Sequence, residues 1–286
     1  MADKFKTLFR LYRQYAKMDL LWFLRDTRYF FIQLVSDIVS GGCTIAGVCL
    51  LSANFKNFSG MNQNEILFMM GYSLFIDGIY MVFFIGNNTG MVSRIIGRGQ
   101  LDHIMIQPVP IWAELLAQGF SPVSGSPMLI FGITLTYYGA VKAVMPINVF
   151  MILLFLFYST CSIVIVLSFI YLLSCSAFYA PAAAEEIACV GKDLFSTLKT
   201  YPLGTMRGFQ KHIFLSIIPV GLCAWFPSTL LIKAGKYGTE AVFVPEALYL
   251  PAAAAIFLII AIVTFKKGMK HYETYGSPRY SGFGHR

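Results

Sequence analysis

Four ionisable residues interrupt apolar runs of this sequence: Asp37, Asp77, Lys192 and Asp193. A lipid-facing Lys at such a place costs on the order of 3 kcal/mol, so these groups are expected to face a polar pathway or a partner subunit. For Asp37 and Asp77 the plainer alternative is a carboxylate satisfied by hydroxyls, a neighbouring helix or the membrane interface. Two acids facing each other in a bilayer are also what an intramembrane enzyme needs, and only Asp37 and Asp77 qualify, although no motif accompanies either. The four histidines (His103, His212, His271, His285) are far apart, so no metal site is expected. There is no HExxH and no GxSxG. The triplet Gly191-Lys192-Asp193 lacks the upstream glycine and the following hydroxyl of a phosphate-binding loop, so the chain cannot hydrolyse ATP by that route. The six cysteines are scattered without a CxxC pair and read as free thiols acting as small hydrophobes.

The elements that must position these residues are set by composition. Of 286 residues, 57% are hydrophobic and 13% charged, against about 25% charged in soluble domains. Such a chain has nowhere to hide its apolar surface except a bilayer, and its length allows about six spans of roughly 20 residues. No polar stretch is long enough for a separate globular domain. The net charge of +8 does not point to nucleic acid, because it is concentrated at the two ends. Residues 1–28 hold seven Lys or Arg against three acids, and the tail 266–286 holds five against one. The positive-inside rule then puts both termini in the cytoplasm and requires an even number of crossings. The start does not read as a signal peptide, since its charged region is too long.

Along the chain, residues 4–17 predict a helix lying on the membrane. Phe5, Leu8, Phe9, Tyr12, Tyr15 and Ala16 form an apolar face opposite Lys6, Arg10, Arg13 and Lys17, a pattern suited to an anionic leaflet. An arm docked on a partner is the alternative. Residues 20–28 would turn the chain into the bilayer. Spans are expected at Tyr29–Ala53, Glu65–Met91, Ala113–Tyr138 (interrupted by Pro122 and Pro127) and Ile147–Leu173, with a last one at Glu246–Phe265 stopped by Lys266-Lys267. The fifth span is either Pro181–Tyr201 or Lys211–Ile232. Charge favours the latter, because the former leaves Lys199, Arg207 and Lys211 facing outward. No internal repeat of the kind common in secondary transporters is visible.

The loop 92–112 is too polar to stay in the bilayer and too apolar to float free. Leu101, Ile104 and Met105, followed by Pro108 and Pro110, suggest a short docking element. An ordinary interfacial loop is the alternative. Its residues Arg98, Gly99, Leu101, Asp102, Ile106, Pro108 and Val109 resemble the R-x-G-x-L-D-x-x-[LI]-x-x-P-[VL] stretch of membrane permeases in type-2 ATP-binding-cassette exporters, with Arg98 placed directly before Gly99 where the pattern has a spacer. Two further stretches are similar to that family in the same order. Tyr201-Pro202-Leu203, Ile218-Pro219-Val220 and Trp225-Phe226-Pro227 resemble its Y-P-L … I-P … Y-x-P run, and Tyr272, Glu273 and Gly276 match its Y-E-x-x-G ending.

The resemblance implies an all-α integral membrane protein. Its parts would be an interfacial elbow segment (1–28), a six-helix permease domain (29–265), a coupling helix within 92–112, an outward re-entrant hairpin (201–232) and a basic cytoplasmic tail (266–286). Arg98, Gly99, Leu101, Asp102, Ile106 and Pro108 would couple to a nucleotide-binding ATPase subunit. Tyr201, Pro202, Pro219 and Pro227 would belong to the re-entrant cap, which selects Pro181–Tyr201 as the fifth span. ATP and Mg would sit on that partner, and this chain would be non-catalytic. It would share a substrate pathway with a second permease, an unlike homologue or an identical copy, in the cell membrane. A polytopic membrane enzyme and an ATP-independent transporter are the competing functions. No residue pattern identifies the substrate.

Overall fold

The first helix, α1 (Ala2–Arg25), turns Leu8, Leu11, Tyr12, Tyr15, Ala16, Asp19 and Phe23 inward, while Lys6, Arg10, Arg13 and Lys17 stay exposed. In this computed structural model the described residues are 2–54, 60–86, 89–204, 206, 208–238 and 244–276. Arg207 and residues 277–286 of the tail therefore lie outside the described residues, as does the Phe5 side chain. The break expected within 20–28 lies near its end. The helix runs through Arg25 and breaks only at Asp26, where α2 (Thr27–Asn54) begins. Edge-to-face ring pairs Trp22–Tyr29 (5.6 Å) and Phe23–Phe30 (4.5 Å) bridge the break and hold the two axes together. Phe9, assigned from sequence to the apolar face, is 68% exposed.

Two helices form the spine. α3 (Gln63–Phe84) lies antiparallel along α7 (Pro122–Lys142) over its whole length. Glycines repeating every seven residues make this possible: Gly71 and Gly78 on α3, and Gly125, Gly132 and Gly139 on α7. A Cβ at Gly132 would lie 2.5 Å from the Phe75 amide nitrogen, and one at Gly139 would lie 2.6 Å from the Phe68 Cα. The backbones therefore touch, and such contact between small residues drives helix association where no hydrophobic effect operates.

Between these helices the chain makes three short ones: α4 (Val92–Gly97), α5 (Leu101–Met105) and α6 (Ile111–Gln118). This differs from the expected second and third spans. The helix expected as the second span ends at Phe84 rather than Met91, and the helix expected as the third begins at Pro122 rather than Ala113. Pro122 starts α7 at a position where a missing N–H costs nothing, so the stretch before it breaks away as α6.

The remaining long helices are α8 (Val149–Ser174), which continues as a 3-10 turn to Phe178, α9 (Pro181–Leu198) and α12 (Val244–Tyr275), which packs on α8. α12 does not stop at Lys266-Lys267. It runs on past them to Tyr275, where Gly276 at φ +76° ends it. Between α9 and α12 stand α10 (Phe209–Ser216) and α11 (Trp225–Tyr237), joined through a 3-10 turn at Pro219–Leu222 and bent by 61°.

Among the described residues all regular structure is helical. α2, α3, α8 with its 3-10 extension, and α12 are long and apolar enough to cross a membrane, and the bent α10–α11 pair makes a fifth if it counts as one span. A helix satisfies every backbone polar group internally, which is what a bilayer demands. α3 is mostly buried within the chain, whereas α2 and α12 expose most of their apolar surface. The larger core is built on α3 and α8, and a second, smaller one gathers α4, α5, α6, the turn after α8 and the end of α12.

Candidate functional site

Two sites emerge, one at each core. The first is the segment from α4 to α6. α4 ends in a Schellman turn: the Gly99 and Gln100 amides donate to the Ile96 and Ile95 carbonyls (3.0 and 2.9 Å), with Gly99 at φ +67°. A side chain at that position would be strained, so the glycine shared with the resembled motif has a backbone reason. The sharp turn folds α5 back on α4 and drives Leu101 and Ile104 into the smaller core beside Ile95, Ile96, Phe178 and Met269. Polar contacts reinforce this base. Glu185 of α9 pairs with Arg94 (3.2 Å) and Arg98 (3.4 Å), and Tyr272 of α12 donates to Asp102 (2.8 Å).

This corrects one expectation. Leu101 is fully buried and cannot belong to a docking face. Its place at the tip is taken by Ile106 (78% exposed) and Trp112 (62% exposed), with Pro108 exposed between them. The physical reason is the Gly99 turn, which reverses the chain and points the first apolar residue of α5 inward. Arg98 and Asp102 serve the internal contacts just described.

α1 is fastened to the same region. The Asp19 carboxylate accepts from the Val123 amide (2.7 Å), the Ser124 amide (3.1 Å) and the Ser124 hydroxyl. It thereby caps the start of α7 from another helix, placing negative charge where the helix dipole is positive. Tyr15 donates to Glu114 (2.9 Å), which also accepts from Gln118 (2.8 Å). Burial first, then the hydrogen bond and charge of Glu114, push the Tyr15 phenol up to about 12, so it stays a proton donor at neutral pH.

The second site is a cavity of about 380 Å³ between α2, α3, α7 and the end of α9. Asp37 and Asp77 both line it, with Ser40, Thr44, Ser73 and Thr200 among its hydroxyl-bearing walls. The two acids differ in their partners. Asp77 is ion-paired with Lys199, whose side chain is only 2% exposed. Asp37 accepts a hydrogen bond from Gln33 one turn away (2.9 Å). The Lys199 charge that weighed against α9 as a span is therefore neutralised within the chain. Lys199 ends α9 inside the protein, with Asp77 as its counter-ion. Sequence reading missed this pairing because 122 residues separate the partners.

Lys192 and Asp193 do not join this cavity. They sit about one turn back on α9, paired with each other at 3.6 Å, with the Asp193 side chain 67% exposed. The turn of α9 that reaches the cavity presents Ser196, Thr197 and Thr200 instead. Lys211, also expected to face outward, lies 5.1 Å over the Trp225 ring.

Residues 201–237 both leave and return at one end of the bundle. Gly204 approaches Gly60, and Lys236 pairs with Glu65 at the start of α3 (2.6 Å). In between, the carbonyl of Leu222 accepts from Ser162, midway along α8, and the Ser162 hydroxyl also meets Tyr72 (3.0 Å). Tyr201 lines the cavity, and Pro202, Pro219 and Pro227 are buried against the larger core. Among the described residues no group of three or more His, Cys, Asp or Glu could hold a metal ion.

Comparison with known families matches residues 39–276 to the ABC-2 family transporter protein family. The matched stretch starts just past Asp37 and contains both the α4–α6 segment and the helices α3 and α9 that wall the cavity. No curated protein and no solved structure matches the chain.

Proposed function

We propose that this chain, which belongs to the ABC-2 transporter family, is the membrane-spanning subunit of an ATP-driven exporter whose nucleotide-binding subunits are separate chains. It forms the substrate pathway with a second permease and does no catalysis itself; ATP and its Mg belong to the partner. One observation carries the coupling part of this reading. Ile106, Pro108 and Trp112 make an exposed apolar tip on a base tied to α4, α9 and α12 by Leu101, Glu185 and Tyr272. A push on that tip reaches three helices at once, because a close-packed base moves as a unit.

The basic ends support a cytoplasmic position for α1 and the end of α12, with α1 as the interfacial elbow. Residues 201–237 are then an outward re-entrant hairpin, supported by the common side of Gly204 and Lys236 and by the contact of Leu222 with mid-α8. With α7 and α9 counted as crossings, six spans result. The exposed apolar face of α2 is open to lipid or to the second permease.

Co-expression with a candidate nucleotide-binding subunit tests the reading. That subunit should co-purify with this chain, and inside-out vesicles holding both should show vanadate-sensitive transport. Solute movement by the purified chain alone, or labelling of residue 106 from outside the cell, would overturn it.

A further inference from the structure

We propose that the cavity between α2, α3, α7 and the end of α9 binds amphipathic organic monocations, with Asp37 as the charge partner. The transport of a bound cation rests on the permease reading, and the proposal names the substrate class of that pathway.

Charge comes first. The walls contribute two carboxylates, and the Lys199 ammonium neutralises only one of them, Asp77. Asp37 faces a neutral amide, Gln33. The surroundings of the cavity therefore carry one net negative charge. Asp37 stands near the middle of the apolar stretch Thr27–Leu50; with that stretch in the bilayer, as the permease reading has it, a cation is attracted far more strongly than at a soluble surface.

Polar detail comes second. The Ser73 side chain is 1% exposed, lines the cavity and has no hydrogen-bond partner among the described residues. A buried hydroxyl left unmade costs free energy, and a ligand group entering the cavity removes that cost. Shape comes third. Met70, Leu74, Val48 and Met128 supply the apolar walls between these polar points, and methionine adapts to irregular occupants. The volume falls at the small end of the range for ligand pockets, which fits a compact amphiphile rather than a polymer. An anionic lipid or glycan would meet repulsion from Asp37.

The test uses two ions of matched shape and opposite charge, tetraphenylphosphonium and tetraphenylborate, on the detergent-purified full chain by equilibrium dialysis. Saturable binding of the cation without the anion is expected. Asp37→Asn should weaken it about tenfold or more, Asp37→Glu should retain most of it, and Ser73→Ala should weaken it about threefold. Asp193→Asn, outside the cavity, should leave it unchanged. Equal binding of both ions, no saturable binding, or indifference to Asp37→Asn overturns the proposal. Co-purification of the nucleotide-binding subunit is measured on the same preparations. If it persists while cation binding fails, the substrate class is wrong and the permease reading stands.

Discussion

The phenol of Tyr272 donates a 2.8 Å hydrogen bond to the Asp102 carboxylate, joining residues 170 positions apart. Each belongs to a different short motif noted in the sequence, one at the loop after α3 and one at the end of α12. Their contact closes the base of the α4–α6 segment. Tyr272→Phe should keep the ring in its cluster with Phe178 and remove the bond to Asp102. We expect a loss of about 1 kcal/mol in coupling. A double-mutant cycle with Asp102→Asn, read as transport per ATP hydrolysed, should show that the two changes are not additive. Additive effects would mean that the bond transmits nothing.

Leu101 and Ile106 should respond oppositely to the same substitution. Leu101→Glu buries a carboxylate in the smaller core and should reduce folded protein, seen as loss of the monodisperse peak on size-exclusion chromatography. Ile106→Glu alters an exposed tip and should leave folding intact while weakening capture of the nucleotide-binding subunit. Normal folding of the Leu101 variant would contradict its buried position.

Breaking the Lys199–Asp77 pair should be worse than deleting it. Lys199→Met leaves Asp77 without its counter-ion at the cavity wall, at a cost on the order of 3 kcal/mol. The double change Lys199→Met with Asp77→Asn should recover much of that loss. Thermal unfolding of the purified variants in detergent measures both. A double variant no more stable than the single would show that the pair matters for something other than charge balance.

Val144 holds a left-handed backbone, φ 56°, at the end of α7, and its side chain is exposed. The amides of Val144 and Met145 donate to Val141 and Ala140 in the pattern that normally ends on glycine. A β-branched residue there is strained. Val144→Gly should raise stability by about 1 kcal/mol, visible as a higher melting temperature. A fall in melting temperature would mean that the side chain makes a contact that outweighs the strain.

Much of this protein was legible from its residues taken in order. Apolar runs announce long helices, the basic face of residues 4–17 announces an amphipathic one, and the loop 92–112 stands out because it is neither polar nor apolar enough for its place. The glycine heptads of α3 and α7 were not singled out in the sequence, although Gly71 to Gly78 and Gly125 to Gly139 keep one face slim. Element ends were read less well. Pro122 splits off α6, and α12 ignores its two lysines because a charged turn outside the apolar stretch does not forbid a helix.

Partners across the chain were not readable at all. Leu101 looks like a docking residue until the Gly99 turn reverses the chain and buries it. Lys199 looks outward until Asp77 meets it, and Asp19 looks like one acid among basic neighbours until α7 begins beside it. Local pattern and hydropathy therefore determined that this is a helical membrane chain and where its long apolar helices run. The tertiary structure alone decided which charges neutralise each other and which apolar side chains stay exposed, because those depend on distances between helices that no local periodicity encodes.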